Sequence, residues 1–552
     1  MHIERDVYIP MRDGVCLSAD IYRANPGERG PVVLMRTPYL KSGAMTGDGL
    51  NSTGRPAPIP TGLRPASNPF ELPFMLSNLS PLMEAGYTVV VSDVRGSGHS
   101  EGVYDYYNLE SGPMDGYDTV EWMATQPWCD GNVGMTGGSA MAIYCYQAAV
   151  EHPPHLKAMW VNMHPADFYF DQWFVGGVFR WENRIGWCTM MLKNIAPQNP
   201  GSPSDPNYEA KRQVYEQRYA QAYDRMLQGQ NAANQSWLTE MYQHREYDDF
   251  WRARSYAERH HEVDVPVFHG GVWYDHFIRG TLTAHAEVTV PKRLIIGPGW
   301  LGAPPEAGDG DIGALQVGWF DHYLRGKDNG ILEGPAARLY RYGDERWIDE
   351  AVWPVPVTET SYYLAAGPGG GAQSLNDGLL ATEPSSSNAV FELVHDPARP
   401  VTTPQSLEDQ RDFERGCLTF STPPLAQDVE IIGSARLVLY ATTDASDVDF
   451  CVRLCDVYED GRSRLLNTGA LKGSHFRSHE NPEALQAGRL YEFEIEVWAT
   501  ANLFLKGHRI RVDVSASDFP FFEVNPVVSR TEIVVDAAHP SRLVLPVVKR
   551  EA

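Results

Sequence analysis

The chain has 552 residues, 43% of them hydrophobic, with 46 Lys and Arg against 71 Asp and Glu, a formal net charge of −25. An acidic surface repels nucleic-acid phosphates and anionic lipids, so we expect no nucleic-acid partner. A run of about 18 apolar residues is absent, and the N-terminus lacks the basic and apolar regions of a signal peptide. We therefore expect a soluble, cytoplasmic protein of two or three domains, without membrane association.

The cysteines and glycines predict neither disulfides nor a bound cofactor. The seven cysteines are an odd number in a long chain, which argues against a disulfide framework. Cys451 and Cys455 lie in an apolar alternation typical of a strand, without a second ligand pair at zinc spacing. The glycine-rich segment 367–371 lacks the lysine of a phosphate-binding loop. The sequence therefore predicts no metal and no cofactor.

Residues 1–165 alternate short β-branched runs with helical patterns. Residues 31–35 and 88–92 are typical of buried strands, and residues 117–126 of a helix. Such alternation predicts an α/β fold with a mostly parallel sheet covered by helices on both faces. Residues 39–81, rich in Pro, Gly, Ser and Asn, are predicted to form a long loop near the site.

Two further changes of pattern divide the rest of the chain. Residues 166–259 are rich in aromatic and charged helical stretches such as 209–227, which predicts an inserted helical cap. Strand patterns at 265–268 and 293–296 and a helical pattern at 316–324 predict that residues 260–333 complete the first domain. From 334 to 552, short alternating strands between turn residues indicate a β-sandwich. Exposed sandwich faces often form dimer contacts, so a homodimer stays open.

Ser139 lies at a predicted strand-to-helix turn. Val133 ends a predicted strand, and residues 143–150 are predicted to be helical. Such a turn exposes the serine oxygen and directs backbone N–H groups at a developing oxyanion. Gly137 and Gly138 allow the tight turn. The Gly-x-Ser pattern alone is weak, because Gly-Ser turns are common in proteins where they have no catalytic role.

A wider set of motifs surrounds this serine. They cover residues 93–102, 116–122, 126–128, 247–252, 271–275, 319–326 and 507–512. Together with residues 134–139 they resemble the cocaine esterase and X-prolyl dipeptidyl aminopeptidase (CocE/NonD) family of α/β-hydrolases over nearly the whole chain. The resemblance implies an α/β-hydrolase domain, an inserted helical cap and a C-terminal jelly-roll β-sandwich.

The resemblance also implies roles for four residues. Ser139 matches the nucleophile, and Asp275 matches the acid that orients a histidine. Tyr39 matches the tyrosine whose hydroxyl joins the N–H of Ala140 in the oxyanion hole. Independently, Tyr39 and Asp275 each follow a predicted strand, where parallel-sheet proteins place their sites. The alternative for Tyr39 is a packing aromatic.

The chain departs from the family pattern at the expected histidine. After Ile296 the family reads G-P-W-x-H, whereas this chain has Leu301 in the histidine position, or Gly302 if one glycine is inserted. The sequence between His285 and His322 contains no histidine. Without an imidazole, Ser139 loses the base that takes its proton and the acid that protonates a leaving group. The elbow also departs from the family pattern, because Ala140 and Ala142 stand in place of the family's tyrosine and glycine. The predicted triad is therefore atypical.

Other groups offer a replacement base, each with a structural alternative. His276 adjoins Asp275, but neighbouring side chains at a strand end point apart. His164 follows the strand after the nucleophile helix and is a candidate to face the pocket. His269, at a strand end, is interpreted as structural, and so is His99, in a turn that the family often fills with other residues. The acidic segment 306–311 offers a carboxylate or is simply solvated.

Aromatic residues suggest the kind of substrate. Trp300 can close over the site, and with Leu301 and the cap residue Trp173 it would form the wall of a pocket for a bulky, apolar small molecule. Cap tryptophans, which include Trp181 and Trp187, serve equally as cap core. Three hypotheses follow: a serine acyl hydrolase of atypical triad; a hydrolase-fold enzyme repurposed for acyl transfer, cyclisation or isomerisation; and a binding homologue without chemistry.

Overall fold

A computed structural model of the chain describes residues 2–39, 41, 79–195, 240–300, 312–367, 376–385, 388–404 and 406–550. Most of the predicted loop 39–81, the predicted helix 209–227 and the acidic segment 306–311 lie outside these residues, as do Leu301 and Gly302. Among the described helices, none combines the length and apolar character needed to span a membrane.

Twelve strands precede the sandwich in the described part of the chain. They are β1 (His2–Pro10), β2 (Cys16–Arg23), β3 (Gly30–Thr37), β4 (Thr88–Asp93), β5 (Cys129–Gly138), β6 (Leu156–Asn162), β7 (Phe174–Val175), β8 (Val178–Phe179), β9 (Val267–Tyr274), β10 (Lys292–Trp300), β11 (Ala337–Arg341) and β12 (Arg346–Glu350). All but β7 and β8 form one sheet, in the order β1-β2-β4-β3-β5-β6-β9-β10-β11-β12. From β4 to β11 neighbouring strands are parallel, as predicted.

Helices cover both faces of this sheet. They are α1 (Ser80–Glu84), α2 (Gly112–Ala124), α3 (Ala140–Ala149), α6 (Ile278–Glu287) and α7 (Ile312–Arg325). Side chains alternate between faces along a strand. On β5, a Cβ at Gly134 would meet Phe320 of α7, and a Cβ at Gly137 would meet Met141 of α3. These two helices therefore pack on opposite faces of β5.

The described part of the predicted cap is helical apart from the β7–β8 hairpin. It contains a π-helix (Phe168–Trp173), α4 (Trp181–Ile195), α5 (Asp249–Arg252) and a 3-10 helix (Ala257–Glu262). Aromatic side chains form its core, with Trp173 and Trp251 fully buried and their rings 6.1 Å apart. The fold class expected from the sequence is confirmed.

The C-terminal region is a mostly antiparallel sandwich with its own core. Its strands are β13 (Thr358–Ala365), β14 (Asn376–Ala381), β15 (Ala389–His395), β16 (Leu418–Ser421), β17 (Val429–Thr443), β18 (Asp449–Val457), β19 (Ser463–Lys472), β20 (Tyr491–Phe504), β21 (Arg509–Ser515), β22 (Ser529–Val535) and β23 (Arg542–Val547). One short helix, α8 (Arg411–Glu414), precedes β16. The sequence placed the start of the sandwich at 334, but β11 and β12 extend the first sheet because β11 pairs with β10. The first sandwich strand begins at Thr358.

Hydrogen bonds and apolar contacts join the sandwich to β9, the strand that precedes Asp275. The Tyr274 hydroxyl donates to the Leu465 carbonyl at 2.6 Å, and the Asn467 side-chain amide donates to the Trp273 carbonyl at 3.2 Å. A shared apolar cluster includes Trp273, Ala499 and Ala501. The end of β9 is thereby held against the third region of the chain.

Candidate active site

Ser139 occupies a strained turn between β5 and α3. Its backbone has φ 57° and ψ −122°, outside the regions that a non-glycine residue ordinarily adopts. The Ser139 N–H donates to the Asn162 carbonyl at 3.0 Å, and the Ser139 carbonyl accepts from the Ala142 N–H at 3.0 Å. These bonds fix a half-buried side chain at the carboxyl end of the sheet. The elbow predicted from the sequence is therefore present.

The residues that flank the serine let α3 approach the strand closely. A Cβ at Gly137 would lie 2.6 Å from the Met141 carbonyl carbon, whereas a Cβ at Gly138 meets nothing nearer than 3.5 Å. Gly137 is thus the glycine that close packing requires. Ala140 begins α3, so its N–H is one of the first-turn donors without an acceptor inside the helix. The helix dipole adds positive potential there.

Tyr39 lies two residues beyond β3 and is 6% exposed. Its hydroxyl oxygen accepts a hydrogen bond from the Trp187 indole N–H at 3.0 Å, and Ser139 lies near enough to influence the ionisation of the phenol. Burial raises the pKa of Tyr39 although Trp187 and Ser139 act against burial, so the phenol stays protonated at neutral pH. A protonated phenol beside Ser139 is available as a hydrogen-bond donor.

Asp275 follows β9 directly and is 1% exposed. Neither of its carboxylate oxygens has a hydrogen-bond partner of normal geometry among the described residues. Burial raises the pKa of Asp275 to about 7, although the nearby N–H groups of Phe277 and His276 and the charge of Arg180 act against burial. The carboxyl group therefore lacks the imidazole partner that a catalytic triad provides.

His164 does not open toward the pocket, contrary to the candidate role given to it above. It is fully buried, stacks on Tyr146 at 3.9 Å, and its Nε2 lies 3.4 Å from the Nε2 of His260. Tyr146 is seven residues along α3 from Ser139, about 10 Å at the rise of an α-helix. His269 belongs to the same cluster, with its Nε2 2.7 Å from the Tyr146 hydroxyl.

The other two histidines lie in different surroundings. His276 lines a cavity of about 60 Å³ together with Asp275, and its ring lies 6.0 Å from that of Phe521. Burial first, then the charges of Arg180 and Arg184, lowers the pKa of His276 well below its ordinary value. Nδ1 of His99 lies 2.6 Å from a carboxylate oxygen of Asp6, near the N-terminal strand.

The structure changes the expected pocket residues. Trp173 is fully buried, and its indole N–H donates to the Tyr106 hydroxyl at 2.7 Å, so it belongs to the cap core. Trp187, not Trp173, is the cap tryptophan that reaches Tyr39. Trp300 ends β10, and its side chain lies outside the described atoms.

Two arginines near the site escaped the sequence analysis. Arg184 lies 5.6 Å over the ring of Trp187, and Nη1 of Arg180 donates to the His276 carbonyl at 3.0 Å. The available signal was their spacing of four residues, which places both on one side of a helix. That spacing alone does not distinguish a buried pair from a solvated one.

The fold and the elbow define a hydrolytic enzyme of the α/β-hydrolase fold, and specifically a serine hydrolase. The family model for X-Pro dipeptidyl-peptidase (S15 family) matches residues 13–300, and that for the X-Pro dipeptidyl-peptidase C-terminal non-catalytic domain matches residues 329–544. The chain belongs to the S15 family. The resemblance to the CocE/NonD family noted from the motifs is confirmed.

Individual relatives extend over the whole chain. Cocaine esterase of Rhodococcus sp. (strain MB1 Bresler) is 29% identical, with 99% of each chain covered. A solved aminopeptidase from a marine sediment Thaumarchaeota archaeon has a TM-score of 0.79 at 24% identity, covering 99% of this chain and 97% of that one. A solved α-amino acid ester hydrolase has a TM-score of 0.78 at 23% identity, with 99% and 96% covered. The two structures show that the fold is shared over almost the whole chain.

Proposed function

We propose that the protein is a serine acyl hydrolase that cleaves an ester or amide of a small molecule, with Ser139 as the nucleophile. The observation that carries the proposal is the buried Tyr39 hydroxyl, which lies beside Ser139 at the strained elbow. A packing tyrosine has no need of that contact, whereas an oxyanion-hole tyrosine must lie beside the nucleophile.

In the proposed reaction Ser139 Oγ adds to the carbonyl carbon of the substrate. The negative charge that develops on the carbonyl oxygen is stabilised by the Tyr39 hydroxyl and the Ala140 N–H, both of which are donors at the elbow. The Trp187 N–H donates to the Tyr39 oxygen and leaves the Tyr39 O–H free for the oxyanion. Collapse of the tetrahedral intermediate expels the leaving group and forms an acyl-enzyme, which water then cleaves.

The proton transfers are the atypical part of the proposal. No described histidine forms a hydrogen bond with Ser139 or Asp275. Loss of the imidazole slows acylation and deacylation by several powers of ten relative to a complete triad. We therefore expect slow turnover of activated esters, with Asp275 influencing the site through its charge.

The substrate is proposed to be bulky and apolar in part. Trp187 and Tyr107 stack with ring centroids 5.0 Å apart beside Tyr39, which supports an apolar wall at that position. Cocaine esterase, as its name says, acts on cocaine as an esterase. A cytoplasmic location and a homodimer stay predictions from the sequence.

Labelling with a fluorophosphonate, which phosphonylates an activated serine with loss of fluoride, tests the nucleophile. We expect labelling of the native chain and none of Ser139→Ala. Tyr39→Phe should slow ester cleavage about 10²–10³-fold, the usual effect of removing one oxyanion donor. Tyr87→Phe is the matched control, because the Tyr87 hydroxyl bonds to Asp321 away from the elbow. Catalytic turnover that survives Ser139→Ala would rule out the serine mechanism.

Restoring an imidazole tests the atypical triad. Leu301→His and Gly302→His place a histidine where the family has one, and one of them should accelerate labelling of Ser139 if the remaining machinery is intact. If neither variant accelerates the labelling of Ser139, the low reactivity of the serine has a cause other than the missing base. A native enzyme that acylates Ser139 but releases the acyl group only to an added alcohol or amine would instead support acyl transfer.

A further inference from the structure

Two buried arginines stand at the start of the cap helix nearest the elbow. Arg180 immediately precedes α4, and the Arg184 N–H donates to the Arg180 carbonyl at 3.1 Å, so the two residues are one helical turn apart. Each is 1% exposed. Burial of two cations in one turn is costly unless anions or hydrogen bonds compensate them.

Arg180 is only partly satisfied. Its Nη1 donates to the carbonyl oxygens of Asp171 at 2.5 Å and His276 at 3.0 Å, while its Nε and Nη2 have no acceptor among the described residues. The guanidinium lies 4.9 Å over the ring of Trp498. Burial lowers the pKa of Arg180 to about 9, and the neighbouring charge of Arg184 adds to this effect.

Arg184 is held by neutral groups. Its Nε donates to the Asn183 side-chain oxygen at 2.8 Å and its Nη1 to the Gln172 side-chain oxygen at 2.9 Å. Aromatic rings of Trp187 and Phe277 lie 5.6 and 6.0 Å from the guanidinium carbon. These partners fix its position but leave its positive charge in place.

The charges of the nearby Asp275 and Asp171 raise the pKa of Arg180, but burial outweighs them. No described residue forms an ion pair with Arg180 or Arg184. The Asp171 carboxylate is bonded to Arg279 at 2.9 Å, and the Asp275 oxygens bond to neither arginine. Glu182, on the same turn, donates its N–H to the Pro520 carbonyl and makes no described ion pair. The N-terminal end of α4 adds its own positive potential to that of the two arginines.

The arginine pair lies between the two halves of the proposed site. Arg184 contacts Trp187, whose indole N–H donates to the hydroxyl of Tyr39, and Tyr39 lies beside Ser139. On the other side, Arg180 bonds to the carbonyl of His276, the residue after Asp275. A group bound by the arginines would therefore belong to a molecule that also reaches the elbow.

We propose that the substrate carries a carboxylate, which binds to Arg180 and Arg184 while Ser139 attacks its ester or amide carbonyl. This inference rests on the proposed function and adds the charge of the substrate to it. A planar carboxylate accepts two parallel N–H donors from a guanidinium, and Nε and Nη2 of Arg180 are the pair of donors that lack acceptors. The arginines are positioned to select the substrate and take no part in proton transfer.

A matched pair of esters tests the selectivity. We expect mono-(4-nitrophenyl) glutarate to be cleaved with a kcat/KM at least tenfold above that of 4-nitrophenyl pentanoate, its neutral analogue of equal chain length. Arg180→Gln and Arg184→Gln should each reduce this ratio about tenfold or more, mainly through KM, as the loss of a charge-assisted contact requires. Arg184→Lys should retain part of the preference.

The ratio is measured on one enzyme preparation, so partial unfolding of a variant cancels from it. Arg279→Gln is the matched control, because it removes a cation that is already paired with Asp171. A native preference for the neutral ester, or a ratio that Arg180→Gln leaves unchanged, would overturn the proposal.

Failure of the proposed function is distinguishable from failure of this inference. If fluorophosphonate does not label Ser139 and neither ester is cleaved, binding is measured by thermal shift with phenylacetate and phenylacetamide. Stabilisation by phenylacetate alone, lost in Arg180→Gln, supports the carboxylate site without hydrolysis. Equal stabilisation by both compounds, or an equal effect of inorganic phosphate, would contradict a site built for a substrate carboxylate.

Discussion

Replacement of Asp275 by asparagine should make the protein more stable at alkaline pH. The folded carboxyl group has a pKa of about 7 because it is buried and no described residue bonds to it with normal geometry, whereas its ordinary value is 3.8. Between these values the folded state binds more protons than the unfolded state, so stability falls as pH rises from about 4 to about 7. Above pH 7 the full cost of the buried charge is present.

The magnitude follows from the two pKa values. One pKa unit corresponds to about 1.36 kcal/mol, so the difference between 3.8 and about 7 costs about 4 kcal/mol at pH 8.5 and about 2 kcal/mol at pH 5. Asparagine has nearly the same shape and no charge, so Asp275→Asn avoids this cost. For a cooperative unit of about 350 residues, 4 kcal/mol corresponds to a rise in Tm of about 5 °C.

Differential scanning calorimetry of both chains at pH 5 and pH 8.5 measures the effect. We expect Asp275→Asn to raise Tm about 5 °C at pH 8.5 and about 2 °C at pH 5, while it lowers the rate of Ser139 labelling. Asp321→Asn is a control for which we expect a change in Tm of the opposite sign. Burial raises the pKa of Asp321, but Lys327, Tyr87 and Arg325 outweigh burial and lower it, so its loss should destabilise the chain at pH 8.5. Equal Tm differences at both pH values would show that Asp275 has a partner and would refute the reasoning.

Two smaller predictions concern the elbow and the buried histidines. Gly137→Ala should destabilise the protein by about 1–3 kcal/mol and abolish Ser139 labelling, because its Cβ would lie 2.6 Å from the carbonyl carbon of Met141. Gly138→Ala, with nothing nearer than 3.5 Å, should behave like the native chain, and equal urea midpoints for both variants would contradict the packing argument. Burial lowers the pKa of His269 well below 6.5, so only the unfolded state takes up its proton below pH 6.5, and stability falls as pH decreases. His269→Gln should therefore flatten the decline of the urea midpoint between pH 7 and pH 5, and an unchanged slope would show that another group causes it.

The local pattern of the sequence determined the elements and the elbow. Buried strands such as β4, with its run of valines, can be recognised from the sequence. Both faces of a parallel sheet are covered, so the apolar residues of such a strand follow one another without interruption. The turn at Ser139 follows from glycines between a strand and a helix, and strand ends placed Tyr39 and Asp275 at one edge of the sheet. These features depend on neighbours in sequence.

Tertiary structure alone decided what those residues contact. His164 and Trp173 were candidates for the pocket, but both pack in the interior. His164 stacks on Tyr146, and Trp173 donates a hydrogen bond to Tyr106, each partner belonging to another segment of the chain. The same holds for Arg180, whose missing acceptor becomes visible only when Asp171 and His276 lie beside it. A polar group is paired or unpaired because of contacts between segments that a linear pattern does not specify, and the charge balance of the site is therefore a property of the fold.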